Sequence, residues 1–228
     1  MLQLNPIPFL AGAAKAVADR LGFLRGAGEA SGQPAARSRL DSRKWTPELL
    51  KQLEWRRFEE LCAAYYETQG LTARVAPAGP GGGIDILLHA QGAERAFSIA
   101  RCKAWDAYRV GVRAVRELRA AMASAGLGEG VLLTSGRFTQ EAADLARKEG
   151  IQLVDGAALL AKLAALAPEK AAALLRFATQ GDYITPTCPS CSIKMISRQS
   201  AQGGRKYWGC RNYPKCKQTF PSTTHAPA

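Results

Sequence analysis

The sequence predicts an α/β fold in which helices flank a mixed sheet, followed by a small cysteine-rich module. Helical and strand-like patterns of apolar residues alternate through the middle of the chain after a first β-hairpin, which is typical of α/β or α+β domains. Four of the six cysteines lie between residues 188 and 216. Of the 228 residues, 47% are hydrophobic and 22% are charged. This composition is ordinary for globular proteins and excludes a wholly disordered chain.

The net charge of +12 is carried mainly by the two ends of the chain. Residues 183–228 hold seven Lys or Arg and no acidic residue, residues 1–44 hold seven such cations and three acids, and the stretch between them is nearly neutral. Basic tails attract a polyanion and bring it to the folded body. The alternative is a solvated run of charge that only aids solubility.

The first 44 residues are predicted to form an amphipathic helix and a basic linker. Apolar residues recur at helical spacing over 9–25, and residues 26–44 are rich in Gly, Ser, Pro and Arg. The longest uncharged apolar stretch here, Pro6–Ala14, is much shorter than the roughly 20 residues of a bilayer span. The first cation, Lys15, follows this stretch, whereas a secretory signal has its basic segment before it. We therefore expect no membrane partner and a cytoplasmic location.

The body begins with a helix predicted over 46–68, which Thr46 can cap and Gly70 can end. A strand, a glycine-rich loop and a β-hairpin follow, over 71–76, 77–83, 84–89 and 95–103. Helices are then predicted over 111–124, 139–148, 157–166 and 168–179, and strands over 130–134 and 151–154. The predicted segments are an N-terminal region (1–44), the body (45–167), a helical linker (168–186), the cysteine-rich module (187–221) and a tail (222–228).

The cysteine pattern predicts a structural zinc site. Cys188 and Cys191 form one close pair, and Cys210 and Cys216 form a second. Four thiolates in two such pairs can close a tetrahedral Zn²⁺ site. So short a region cannot bury a large core, so the metal would supply its folding energy. Two disulfides or four unrelated cysteines are the alternatives, and a disulfide framework needs a secretory context.

This module resembles the four-cysteine zinc finger at the C-termini of bacterial type I topoisomerases, through the runs Tyr207–Cys210 and Asn212–Cys216. The resemblance implies binding of DNA, chiefly single-stranded, without chemistry. Aromatic rings there can stack on bases and cations can contact phosphates, although some of the rings must also form the core of the module. The candidate DNA-contacting residues are Lys206, Tyr207, Trp208, Arg211, Tyr213 and Lys215.

Three residues of the body form a candidate catalytic set. Glu59 lies on the apolar stripe of the first helix, where a buried carboxylate needs a partner such as a metal. Asp85 begins a strand after the glycine-rich loop, and Lys103 ends the next strand, on the same face as Arg101. Such a set can hold Mg²⁺ and activate a water. The alternative is a structural salt bridge between Asp85 and Lys103, and spacing alone favours it.

Residues 45–165 resemble the Mrr-type restriction endonuclease domain, a branch of the PD-(D/E)xK nuclease fold. No single block is specific, but six occur in the family's order. These blocks are Phe58–Cys62, Gly82–Ile86, Arg101–Trp105, Val110-Gly111 with Ala114–Leu118, Leu132–Gly136 with Phe138-Thr139, and Leu153–Gly156. The resemblance implies a restriction-endonuclease-like mixed sheet and Mg²⁺-dependent hydrolysis of DNA phosphodiesters in DNA restriction.

The resemblance also implies residue roles. Glu59 matches the helical acid of the metal site, Asp85 the metal-binding Asp, and Lys103 the catalytic Lys. The backbone carbonyl of residue 102 would be a further magnesium ligand.

Two departures from the family pattern put catalysis in question. The family usually has Gln or Glu where this chain has Arg101, and often an acid where it has Gly81. A guanidinium has no acceptor atom and repels a metal cation. Either Arg101 turns away to a phosphate and catalysis survives, or the protein binds DNA without cutting it. A third hypothesis, a zinc-stabilised protein-interaction adaptor, predicts no DNA affinity. The sequence leaves open whether the DNA substrate is single-stranded or methylated. It also leaves open whether the protein forms a homodimer.

Overall fold

The computed structural model describes residues 44–75, 85–104, 109–200 and 204–221. The amphipathic helix and most of the basic linker predicted for 1–44, the glycine-rich loop over 77–83 and the tail over 222–228 lie outside the described residues. Among the helices described, none combines the length and apolar character needed to cross a bilayer.

The described elements follow the predicted alternation closely. The helices are α1 (Pro47–Gln52), α2 (Trp55–Thr68), α3 (Val112–Ala125), α4 (Gln140–Lys148), α5 (Gly156–Ala164) and α6 (Pro168–Thr179). The strands are β1 (Thr72–Val75), β2 (Asp85–His89), β3 (Ala96–Lys103), β4 (Arg109–Val110), β5 (Glu129–Thr134), β6 (Arg137–Phe138), β7 (Ile151–Val154), β8 (Ile196–Gln199), β9 (Lys206–Gly209) and β10 (Thr219–Pro221).

The body is built on a mixed sheet, as predicted. In the described residues its strand order is β1-β2-β3-β5-β7. The first three strands pair antiparallel, as a hairpin and its neighbour, while β3, β5 and β7 run parallel. Helices α3 and α4 make the crossovers between the parallel strands, which is how parallel pairs are normally connected.

Two apolar layers cover the two faces of this sheet. On one face, α2, α5 and α6 pack over strand residues that include Ala100 and Cys102. On the other face, α3 and α4 pack over Ile99 and Leu132. Because successive side chains of a strand point to opposite faces, Arg101 and Lys103 share the α3 face with Ile99. The predicted facing of residues 101 and 103, opposite to Cys102, is thereby confirmed.

The prediction of a single helix over 46–68 was wrong, because the backbone leaves the helical conformation at Leu53 and Glu54. Glu54 adopts extended backbone angles (φ −62°, ψ 156°) and caps α2 by accepting from the backbone N–H of Arg56. Its own N–H donates to the Tyr183 carbonyl at 2.8 Å. This partner lies far along the chain, so apolar periodicity within the helix could not reveal the break.

The last helix and the cysteine-rich module complete the chain. Helix α6 buries Leu174 and Ala178 in the same core as α2. The module is an antiparallel sheet of order β10-β9-β8, and its small core contains Met195 and Trp208 beside the cysteines.

Candidate functional site

The backbone register of the sheet brings the candidate residues of the hairpin together. Asp85 is the direct cross-strand partner of Arg101, and Lys103 follows two residues later at the end of β3. Thr134, which ends β5, is the strand neighbour of Lys103 and donates its hydroxyl to the Lys103 carbonyl at 2.8 Å. The end of β3 is therefore held on one side by β2 and on the other by β5.

Lys103 makes an ion pair that the sequence did not reveal. Its Nζ lies 3.2 Å from Oε2 of Glu117, a residue of α3. The other carboxylate oxygen of Glu117 accepts from Nε of Arg113 at 2.9 Å. Burial raises the pKa of the Glu117 carboxyl, but the hydrogen bonds and charges of Lys103 and Arg113 lower it by a larger amount. The pKa of Glu117 therefore lies below its ordinary value. The Glu117 carboxylate is thus ionised and pairs with two cations, Lys103 and Arg113.

Arg101 is buried in the interior of the site, with 7% of its surface exposed. Its strand neighbours are Asp85 on β2 and Leu132 on β5. A buried guanidinium is stable only with charged or hydrogen-bonding partners, so it is part of the packed site rather than a solvent-facing cation.

Glu59 is also buried, with 5% exposure, as its position on the apolar stripe of α2 predicted. Helix α2 packs on the sheet face opposite α3. Glu59 therefore belongs to the α2 layer, whereas Glu117, which contacts Lys103, belongs to the α3 layer.

The sequence contains only a weak signal for Glu117. It follows Arg113 at the i, i+4 spacing of helical ion pairs, which predicts an ordinary surface pair. Its contact with Lys103, 14 residues earlier, depends on how α3 folds back over the sheet.

The four cysteines of the C-terminal module converge as predicted. Their Sγ atoms all lie within 4.8 Å of one another, and those of Cys188 and Cys216 are 3.7 Å apart. Tetrahedral Zn²⁺ with Zn–S bonds of about 2.3 Å places its sulfurs about 3.8 Å apart. In the structure the four are thiols rather than disulfides. The cluster thus has the donor set and spacing of a structural zinc site, formed by Cys188, Cys191, Cys210 and Cys216.

The candidate DNA-contacting residues divide into surface and core. Tyr213 is 62% exposed, and the guanidinium carbon of Arg198 lies 5.5 Å from the centre of its ring. Trp208 is only 5% exposed and packs with the cysteines, which corrects our expectation of a surface contact, because its ring is enclosed by the module's core. Tyr207 is half-buried. Lys206, Arg211 and Lys215 are exposed.

The structure is thus an α/β domain with a mixed sheet and a buried charged site, joined to a module of zinc-finger type with four thiolates. The family model described as restriction endonuclease matches residues 50–163, half of the chain, and the chain belongs to this Mrr-type family. The family model described as topoisomerase DNA-binding C4 zinc finger matches residues 185–224. The expected family resemblances of both parts are confirmed.

Individual relatives cover different shares of the chain. DNA topoisomerase 1 of Archaeoglobus fulgidus is 38% identical over 63 residues, which are 28% of this chain and 9% of that protein. Among solved structures, EndoMS in its apo form covers 44% of this chain and 44% of its own, with 19% identity and a TM-score of 0.36.

Two restriction endonucleases are also similar to this chain. MspJI in complex with a 27-mer oligonucleotide has 17% identity and a TM-score of 0.40, over 69% of this chain and 42% of its own. The modification-dependent enzyme AspBHI has 22% identity and a TM-score of 0.42, over 75% of this chain and 50% of its own. The chain therefore spans half or less of the length of each of these four proteins.

Proposed function

We propose that this protein is a DNA endonuclease of the Mrr restriction type, which hydrolyses phosphodiester bonds with a divalent metal and binds DNA through its zinc finger. The observation that carries the proposal is the register of β2 and β3, which sets Asp85 beside Arg101 and two residues from Lys103 in a chain of the restriction endonuclease family. A carboxylate and an amine at adjacent strand ends match the family's requirement for a metal ligand and a catalytic cation.

The residues present fit a magnesium site in part. Asp85, Glu59 and the carbonyl of residue 102 would supply the hard oxygen donors that Mg²⁺ prefers. Glu59 matches the family's helical acid and is buried on α2. Arg101 offers no acceptor and does not fit as a ligand. When bound, the metal would lower the pKa of a water and offset charge on the phosphate.

The chain's own residues would then act on the substrate. Lys103, held at the end of β3, would orient the attacking water or stabilise the charge that develops on the phosphate. Arg101 adds positive potential at the same strand end, which favours an anionic backbone. Both contributions favour the phosphodiester over uncharged substrates.

The zinc finger would hold the DNA near the body. Its exposed cations, Lys206, Arg211 and Lys215, suit phosphate contacts, and the open ring of Tyr213 suits stacking on a base. Stacking needs an unpaired base face, so single-stranded regions are the expected targets. We also propose that the protein can bind methylated DNA and can assemble as a homodimer.

A second function is favoured by the burial of Arg101. A buried cation in place of a metal ligand would leave the site short of donors, and the protein would then bind DNA without cutting it. The two functions share every prediction about DNA affinity. They differ only in whether a metal ion allows hydrolysis.

Nicking of supercoiled plasmid with Mg²⁺ or Mn²⁺ tests the proposal. The wild type is compared with Asp85→Ala and with Asp144→Ala, whose carboxylate lies on the surface of α4 and pairs with Arg147. Metal-dependent nicking that disappears only in Asp85→Ala supports the nuclease. If the wild-type protein binds DNA but nicks neither unmodified nor methylated plasmid, the second function, DNA binding without cleavage, replaces the nuclease function. Absence of salt-dependent DNA binding would favour the protein-interaction adaptor instead.

A further inference from the structure

Glu117 occupies a defined place beside the end of β3. Its contact with the Lys103 amine joins α3 to the residue that the proposed nuclease uses for catalysis. The Lys103 side chain is 27% exposed and that of Glu117 is 21% exposed, so the pair is half-buried. An exposed ion pair contributes little to stability because solvent screens it, but a half-buried one can restrict where an amine lies.

Lysine needs such restriction, because its long aliphatic chain has several rotatable bonds and gains conformational entropy when released. The backbone end of Lys103 is already fixed by its pairing with Thr134. The amine end is fixed only if a partner holds it, and Glu117 is at the distance to do so. Both ends of the side chain are then held.

The carboxylate of Glu117 is itself held. Arg113 contacts one of its oxygens while Lys103 contacts the other, so each oxygen has a separate cation. The helix is fixed in turn, because Val115 and Leu118 on either side of Glu117 are fully buried in the α3 layer. The position of Glu117 is therefore set by the core.

Charge gives a second reason for an acid at this position. Arg101 and Lys103 share one face of β3, where the family pattern has a neutral or acidic residue in place of Arg101. Two cations so close repel each other and compete for the same negative partners. A carboxylate that reaches the strand from α3 keeps the amine of Lys103 in place beside this additional charge.

Building on the proposed nuclease function, we infer that Glu117 is a positioning residue that holds the amine of Lys103 for phosphodiester hydrolysis. It acts through Lys103 and does not contact the DNA. Arg113, whose side chain is 89% exposed, contacts the second carboxylate oxygen and adds positive charge beside it.

The position of the Lys103 amine can be measured without any catalysis. Wild type, Glu117→Gln and Glu149→Gln are treated with a reductive methylation reagent, and mass spectrometry follows modification of Lys103. Glu149→Gln is the matched control, because Glu149 forms a pair of 2.8 Å with Arg119 on the same helix α3. We expect Lys103 to be modified several-fold faster in Glu117→Gln only. An unchanged rate would overturn the inference whether or not the protein is a nuclease.

Nicking kinetics then test the link to hydrolysis. With plasmid in excess, Glu117→Gln should lower kcat by about 10–100-fold, the scale on which supporting residues and small misplacements act, with little change in KM. Glu117→Asp, which keeps the charge on a shorter stem, should recover part of the rate, and Glu149→Gln should match the wild type. Melting temperatures and zinc content confirm that each variant is folded.

The outcomes separate this inference from the proposed function. Faster modification of Lys103 with unchanged kcat would reduce the pair to a structural contact and overturn the positioning role. Absence of nicking by the wild type would refute the nuclease function, and a catalytic role for Glu117 with it. Faster modification together with a lower kcat and partial rescue by Glu117→Asp is the expected result.

Discussion

Thr187 donates two hydrogen bonds to the buried carboxylate of Glu54 and so joins the zinc module to the body. Its hydroxyl lies 2.9 Å from Oε1, and its backbone N–H lies 3.2 Å from Oε2. Lys194 adds a third contact at 3.1 Å. Glu54 also caps α2, the helix that carries Glu59, and Thr187 directly precedes Cys188 of the four-cysteine cluster. Hydrogen bonds through Glu54 therefore connect the four-cysteine cluster to the helix of the candidate catalytic acid.

Glu54→Ala should loosen this junction. The change removes a buried acceptor that contacts Thr187 and Lys194, and hydrogen bonds to a charged group contribute about 1.5–3 kcal/mol. We expect a loss of that order in the free energy of unfolding, measured in urea, and faster chymotryptic cleavage at Tyr183. Glu48→Ala, which alters an exposed acid of α1, is the control. Equal stability of the two variants would contradict the role of the junction.

Cys188→Ser should abolish zinc binding. The four-thiolate geometry predicts one zinc per chain, measurable by mass spectrometry of the native protein, and its loss should weaken binding to single-stranded DNA. Ser190→Ala, in the exposed turn between Cys188 and Cys191, should leave both unchanged. Full zinc occupancy in Cys188→Ser would remove that residue from the ligand set.

Tyr213→Ala and Trp208→Ala should have different effects. Tyr213 has an exposed ring, so its loss should weaken single-strand binding by about 1–3 kcal/mol without changing stability. Trp208 is enclosed, so its loss should cost about 3–5 kcal/mol of stability. Fluorescence anisotropy and thermal melting separate the two. Tyr213→Phe is the control, since it keeps the ring, and weakened binding in that variant would argue against stacking.

Arg101→Gln should improve metal-dependent nicking. The amide oxygen can ligate a metal cation, whereas the guanidinium repels it. The metal concentration that gives half-maximal nicking should fall about tenfold or more, because residues around a metal site change metal affinity on this scale. Arg101→Leu, which removes the charge without adding an acceptor, separates repulsion from ligation. Lower activity in Arg101→Gln would show that the guanidinium takes part in the reaction.

The ion pair of Glu117 should add a pH-dependent contribution to stability. Its pKa is lowered in the folded protein, because hydrogen bonds and charge from Lys103 and Arg113 outweigh the opposing effect of burial. The stabilisation is therefore present above the unfolded value of about 4.3, and it is lost as the pH falls through the lowered folded pKa. The difference in unfolding free energy between wild type and Glu117→Gln, below about 1 kcal/mol, should shrink from pH 6 to pH 3. A difference that stays constant over this range would contradict the pairing.

The sequence alone was sufficient for the α/β architecture, the strand that carries Arg101 and Lys103, and the cluster of four cysteines. These features depend on local patterns: apolar periodicity marks helices and strands, alternation assigns residues to sheet faces, and cysteine spacing indicates a metal site. Tertiary structure alone decided the break at Glu54, the enclosure of Trp208 and the pairing of Lys103 with Glu117. Each depends on a partner distant in the chain or on the packing of a neighbouring element. No periodicity records such contacts, because they form only when separate elements pack together.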